Sequence, residues 1–158
     1  MEAFAAAFVE RLQVIGEAFQ ESVAGLPAEA LDWSPGPEMN SLAVLATHAA
    51  AATRYLIGDV IAGDPSGRVR EDEFRTAGVD AESLRRRLAE MITYAQEVVS
   101  QLSVADLEQE HLSPQHNKTV TTAWCLFRAL DHLAEHLAHA QLTRMLWLQQ
   151  KNQASAAK

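Results

Sequence analysis

The chain has 158 residues, of which 48% are hydrophobic and 22% charged, a composition typical of one globular domain rather than a disordered segment. The formal net charge of -8 argues against a nucleic-acid partner, because binding to a phosphate backbone requires a basic surface. Cys125 is the only cysteine, so an intrachain disulfide is impossible and a reducing compartment is expected.

The first residues differ from a secretory signal peptide, which needs a basic start and then an unbroken apolar run. Glu2, Glu10 and Arg11 do not fit that pattern. A run of about eighteen apolar residues, as a membrane-spanning helix needs, is also missing. We therefore expect a cytoplasmic protein without a membrane partner.

Four long helices are predicted from apolar side chains that recur every three or four residues. They cover approximately residues 3–25, 41–62, 81–102 and 119–150. Asn40 or Ser41 is expected to cap the second helix, and Asp80 the third, because their side chains accept hydrogen bonds from free backbone N–H groups. A short helical turn is expected from Val104 to Glu108.

The connecting segments are irregular and long. Prolines interrupt residues 26–40 and 103–118, and residues 64–79 are polar and charged and contain glycine. No strand is predicted, since the only β-branched run, Thr119 to Thr122, leads directly into a helical pattern. The sequence therefore predicts an all-α four-helix bundle with long crossover connections. This single domain spans residues 1–150 and is followed by a polar, frayed tail at 151–158.

Three of the six histidines lie close together in the last helix. His132 and His136 are four residues apart, so their imidazoles are neighbours on one helix face and can bind the same metal ion. His139 lies on the same side of the helix. The competing interpretation is that these are surface or boundary histidines of an amphipathic helix, since this spacing also occurs by chance.

His48 lies between Leu45 and Ala49 in a mostly apolar run of the second helix. A single histidine on an apolar face is more often a core residue with a hydrogen-bond partner than a ligand. A metal ion held by His132 and His136 would supply that partner. Three imidazoles and one open coordination position are the ligand set of a catalytic zinc site, so the sequence predicts a metal site at His48, His132 and His136.

Two other types of metal site do not fit the sequence. Glu108 and His111 form one Glu-x-x-His, whereas a carboxylate di-iron bundle needs two such motifs on long helices. The metalloprotease motif His-Glu-x-x-His is absent. His111 and His116 are expected to be solvated loop histidines.

Other reactive or charged residues have ordinary interpretations. Cys125 is expected to be a small core residue rather than a nucleophile. Arg54, Arg128 and Arg144 are expected to be solvated or ion-paired, with binding of an anionic substrate as the alternative.

These motifs resemble the DinB/YfiT-like family of metalloenzymes, and the resemblance covers most of the chain. It rests on Trp33-Ser34-Pro35, on Asn40-Ser41-Leu42 with His48 seven residues after Ser41, and on the stretch from Asp131 to His139. The resemblance implies an antiparallel four-helix bundle, commonly a homodimer. It also implies one divalent metal ion, zinc or nickel, bound by His48, His132 and His136. His139, Glu135 and Asp131 are then expected near the ligands or in the pocket.

Characterised relatives include thiol-dependent transferases and a maleylpyruvate isomerase. The resemblance therefore implies a metal-dependent transferase that activates a low-molecular-weight thiol toward small electrophiles. One alternative is a hydrolase that uses a metal-bound hydroxide. Another is a non-catalytic metal-binding or stress-related binding protein. The sequence identifies no general base.

Overall fold

The computed structural model describes residues 1–156 and is mostly helical. Its α-helices are α1 (Glu2–Val23), α2 (Ala28–Asp32), α3 (Leu42–Arg54), α4 (Arg70–Glu73), α5 (Ala81–Ser100) and α6 (Thr122–Ala156). The four long predicted helices correspond to α1, α3, α5 and α6. Helix α3 continues as a π-helical segment, Tyr55–Ala62, so the predicted end near residue 62 is confirmed. The predicted turn near residue 105 is a 3₁₀ segment, Ala105–Glu108.

The four long helices pack around one apolar core. Helices α1 and α3 each contact both α5 and α6. The largest fully buried side chains include Phe19 and Leu12 of α1, Leu88 of α5 and Leu133 of α6. Burial of each such side chain stabilises the fold by roughly 1.5–3 kcal/mol.

The predicted caps of the second and third long helices are present. The Ser41 hydroxyl accepts a hydrogen bond from the backbone N–H of Val44, at 3.3 Å. One carboxylate oxygen of Asp80 accepts from the N–H of Ser83, at 2.9 Å. The Ser41 cap fixes where α3 begins and so helps to position His48 within the core, and the Asp80 cap fixes where α5 begins.

A β-hairpin corrects the prediction that the chain contains no strands. Strands β1 (Glu110–Ser113) and β2 (Lys118–Thr121) pair antiparallel, with His111 opposite Val120. The β-branched run at the start of the last predicted helix belongs instead to β2, and α6 begins at Thr122. A two-stranded hairpin is marginal alone, and this one is anchored to the π-helical segment, where the Tyr55 hydroxyl lies 3.3 Å from Oγ of Ser113.

The segment between α3 and α5 contributes to the interior despite its polar sequence. Its short helix α4 contacts α3 and buries Glu73, which is 6% exposed. At the other end of the chain, α6 extends to Ala156, beyond the predicted limit at residue 150. The rest of the predicted tail, residues 157 and 158, lies outside the described residues. None of the helices in residues 1–156 combines the length and apolar character needed to cross a membrane.

Candidate metal centre

Helices α3 and α6 bring the three predicted ligand histidines together. One nitrogen each of His48, His132 and His136 lies within 4.8 Å of the others. The ring centroids are separated by 5.0 Å for His48 and His132, 4.9 Å for His48 and His136, and 4.4 Å for His132 and His136. The convergence is observed, whereas binding of a metal ion there stays a prediction.

The spacing of the two α6 histidines fits a shared ion. Their Nε2 atoms are 3.1 Å apart. Two nitrogens bound tetrahedrally to zinc at about 2.0–2.1 Å would be separated by about 3.3 Å. Without an ion, one imidazole must donate its Nε2–H to the other. The Nδ1 atoms of both rings are buried and make no hydrogen bond to the described residues. An unsatisfied buried polar atom costs roughly 1–3 kcal/mol, so these two histidines lower the stability of the fold rather than raise it.

Both α6 imidazoles are neutral near pH 7. Burial, followed by the charges of His136 and His48, lowers the pKa of His132 from 6.5 to about 3. Burial, followed by the charges of His48 and His139, lowers the pKa of His136 to about 4. Neutral imidazoles have a lone pair available for a cation, so the chemistry of the donor set fits a divalent metal ion.

Glu73, which sequence reasoning missed, orients His48. Its Oε2 lies 2.7 Å from Nδ1 of His48, and both side chains are 7% exposed. Arg68 holds the same carboxylate, with Nε donating to Oε1 at 2.5 Å and Nη2 to Oε2 at 2.8 Å. Burial opposes ionisation of Glu73, but the hydrogen bonds from Arg68 and His48 outweigh it, so its pKa is lowered. The ionised carboxylate accepts a hydrogen bond from Nδ1–H of His48. The Nε2 atom of this ring therefore keeps its lone pair and is free to coordinate a metal ion.

The predicted neighbours of the ligands lie at the exposed edge of the centre. Asp131 and Glu135 are exposed and accept hydrogen bonds from Nη1 of Arg128, at 3.1 and 3.4 Å. Neither forms a hydrogen bond to a ligand imidazole within residues 1–156. His139 is exposed, with its ring centroid 5.9 Å from that of His136.

A cavity of about 660 Å³ opens beside His48 and His132. Helix α3, the π-helical segment, the 64–79 loop, the hairpin turn and α6 all contribute to its lining. The remaining lining residues are Ala52, Tyr55, Leu56, Arg68, Val69, Arg70, Glu71, Gln115, His116 and Arg128. A small molecule in this cavity would therefore lie against two of the three predicted ligands.

The hairpin changes the interpretation of its two histidines. His111 is in β1, is only partly exposed and has its Nε2 2.8 Å from Oγ1 of Thr122, so its prediction as a solvated loop residue is wrong. His116 is exposed, as expected, yet it lines the cavity and its Nδ1 lies 2.8 Å from Oγ of Ser113. Partial burial, then the charges of Lys118, Arg128 and Arg68, lower its pKa, so it too is neutral at pH 7.

The ordinary interpretations of Cys125 and two of the arginines are confirmed. Cys125 is fully buried, and burial raises its pKa to about 11, which leaves an unreactive thiol. Arg54 pairs with Asp59 and Asp64. Arg128 pairs with Asp131 and Glu135, as described above. Arg144 instead donates to the backbone carbonyls of Glu21, Ser22 and Ala24.

Comparison with known proteins places this fold in a family. Residues 11–140 match the DinB superfamily. A conserved protein of known structure from Enterococcus faecalis superposes with a TM-score of 0.76 at 18% identity, covering 89% of this chain and 95% of that one. A DinB-like protein from Bacillus cereus superposes with a TM-score of 0.72 at 16% identity, covering 88% and 89%. The comparison with curated proteins yields no match. The chain belongs to the DinB superfamily.

Proposed function

We propose that His48, His132 and His136 hold one divalent metal ion, zinc or nickel, and that the chain is a metal-dependent transferase. Its substrates would be a low-molecular-weight thiol and a small electrophile. One observation carries the proposal: three imidazole nitrogens converge within 4.8 Å of one another, and two of the three histidines line a cavity large enough for small molecules.

When bound, the ion supplies positive charge that lowers the pKa of a thiol or water beside it. Neutral His132 and His136 leave that charge undiminished, because imidazole ligands add no negative charge. The carboxylate of Glu73 fixes the ring orientation of His48 through its Nδ1. Arg68 in turn holds the carboxylate, so the third imidazole has one stable orientation.

The hydrogen bonds of Glu73 favour thiol transfer over hydrolysis. Both of its oxygens are occupied by Arg68 and His48, so this carboxylate is not free to activate a water molecule. A thiol requires less assistance, since its sulfur attacks as the thiolate once the proton has left. The thiol proton passes to the neutral imidazole of His116 or to solvent, the sulfur forms a bond to the electrophilic carbon, and the leaving group departs with its electron pair. The family resemblance described above implies the same activity.

Hydrolysis is the second candidate, and it depends on His116. Its imidazole lines the cavity and is neutral at pH 7, so it can accept a proton from water as well as from a thiol. A protein that binds a metal ion and a ligand without turnover is the third candidate. It uses the same histidines and cavity.

The first test is elemental analysis of protein purified without an affinity tag, beside His48→Ala and His132→Ala. We expect about one equivalent of zinc or nickel in the wild type and loss of the ion in both variants, with unchanged helical circular dichroism. If the wild type contains no metal and takes up none at micromolar zinc or nickel, the proposed site is wrong.

The second test separates the three candidate functions. The metal-loaded protein is incubated with a panel of thiols and electrophiles, and separately with a panel of esters. Thiol consumption that is lost in His48→Ala supports the transferase. Ester cleavage without thiol shows a hydrolase, and saturable ligand binding without product shows a binding protein.

A further inference from the structure

Arginine side chains are concentrated at the cavity beside the candidate metal centre, although the chain as a whole carries a net charge of -8. Three arginines, Arg68, Arg70 and Arg128, line it together with a single carboxylate, that of Glu71, among the lining residues that the structure describes. An acidic protein repels anions at long range. Clustered guanidinium groups can still bind an anion locally, through N–H donors that no carboxylate occupies.

The three arginines differ in how many of their N–H groups already donate hydrogen bonds to the described residues. Arg68 is committed to Glu73 through Nε and Nη2 and donates from Nη1 to Gln115 at 2.7 Å. Its charge is largely balanced by Glu73, so we assign it to holding His48 in place.

Arg128 and Arg70 keep free donors. Both hydrogen bonds of the Arg128 guanidinium, to Asp131 and Glu135, come from Nη1, and both acceptors are more than half exposed. Nε and Nη2 of Arg128 make no hydrogen bond to residues 1–156. The Arg70 guanidinium lies over the Phe74 ring, 4.7 Å from its centroid, and has no ion pair within the same residues.

We propose that the substrate reaching this metal centre is a small organic acid, whose oxyanion group binds Arg128 and Arg70 while its reacting end lies at His48 and His132. This inference rests on the proposed function. Guanidinium groups bind planar oxyanions through paired N–H donors, which suits a carboxylate or a sulfonate.

The helix geometry places Arg128 close to the candidate metal centre. Arg128 precedes His132 by four residues in α6, so both side chains project from one face. Residues at this spacing have Cβ atoms about 5–6 Å apart. An acid group bound by Arg128 therefore lies on the same helix face as the candidate metal centre, and a short mercapto acid is the simplest molecule that offers both groups.

His116 is a further polar side chain at this cavity. It lies on the hairpin turn, and burial, followed by the charges of Lys118, Arg128 and Arg68, lowers its pKa. Its neutral imidazole adds no negative charge that would oppose an anion at Arg128 and Arg70.

The inference is tested with cobalt-substituted protein and three thiols of similar size. These probes are 3-mercaptopropionate, 2-mercaptoethanesulfonate and the neutral 3-mercaptopropionamide. Coordination of each thiol is followed by the thiolate-to-cobalt charge-transfer absorption at constant ionic strength. We expect at least one of the two anionic thiols to bind about tenfold more tightly than the amide, as one charge-assisted hydrogen-bond pair would provide. The comparison between carboxylate and sulfonate identifies the preferred acid group.

The variants are Arg128→Gln and Arg70→Gln, with Arg86→Gln as the matched control. Arg86 is an exposed arginine of α5 outside the cavity lining, 4.0 Å from Glu90. We expect both cavity variants to reduce the anion preference to less than threefold without changing cobalt affinity, and the control to keep the full preference.

Two results would overturn the inference, and they are distinguishable. Equal binding of all three thiols to the cobalt-loaded wild type, or a preference that persists in both cavity variants, shows that the arginines do not select an acid. Failure of the wild type to take up cobalt contradicts the proposed function itself, and this inference fails with it.

Discussion

The carboxylate of Glu73 lies 2.7 Å from Nδ1 of His48, although 25 residues separate them in the chain. The two side chains belong to different elements, since His48 is in α3 and Glu73 ends the short helix α4. A carboxylate on the distal nitrogen of a histidine fixes its tautomer and increases its basicity as a ligand. The 64–79 loop is therefore part of the candidate centre.

Replacement of Glu73 by Gln should weaken metal binding without removing a ligand. The neutral amide cannot fix the Nδ1–H tautomer of His48 as the carboxylate does, so we expect metal affinity to fall about 10–100-fold. Competition with a chromogenic chelator measures this affinity. The control is Asp72→Asn, which removes the neighbouring carboxylate from an exposed pair with Arg75. An unchanged affinity in Glu73→Gln would show that the contact with His48 is only structural.

The variants His136→Ala and His139→Ala should distinguish a metal ligand from a histidine that only lies beside the ligands. Both histidines are in α6, but only His136 has a nitrogen in the converging cluster, and His139 is exposed. We expect His136→Ala to lose the bound ion and His139→Ala to retain about one equivalent. Elemental analysis after dialysis measures both. Retention of the ion in His136→Ala, or its loss in His139→Ala, would contradict the proposed ligand set.

The sequence predicted the long helices well because their apolar spacing is regular over many turns. It also predicted that His132 and His136 are neighbours, because the geometry of a single helix fixes residues four apart. The hairpin was missed for a physical reason. Each strand has four residues, too few to establish an alternating pattern, and β2 runs directly into α6.

Glu73 and Arg68 were missed because loop conformations have no sequence period. Glu73 follows two other acidic residues, Glu71 and Asp72, which are exposed. Nothing in the local sequence distinguishes the buried carboxylate except the adjacent Phe74, whose ring packs 4.7 Å from that of His48. The residues that orient the site therefore depend on how the loop folds onto α3, and this appears only in the structure.

The metal-free protein should become less stable as the pH falls from 7 to 5. In the unfolded chain, histidines bind protons below their ordinary pKa of about 6.5. In the folded chain, the pKa values of His132 and His136 are about 3 and 4, so both stay neutral over this range. The unfolded state then binds more protons, and acid favours it.

We expect a loss of about 2 kcal/mol between pH 7 and pH 5 from these two residues, after discounting for their partial exposure. Urea denaturation of chelator-treated protein at several pH values measures the free energy of unfolding. The pH dependence should be smaller in the double variant His132→Gln/His136→Gln than in the wild type. The control is His139→Gln, which changes an exposed histidine of the same helix and should keep the wild-type pH dependence. Equal dependence in the wild type and the double variant would show that these imidazoles are not held neutral by burial.

Cys125 should not react with thiol reagents while the protein is folded. Its side chain is fully buried and its pKa is raised to about 11, so both access and thiolate formation are suppressed. At pH 8 we expect labelling by Ellman's reagent to be at least about a hundredfold slower in native protein than in urea. The reagent reaches the Cys125 thiol only when the core opens. The variant Cys125→Ala gives the background. Rapid labelling of native protein would show that the α6 core opens readily, and it would require Cys125 to be reconsidered as a participant in thiol chemistry.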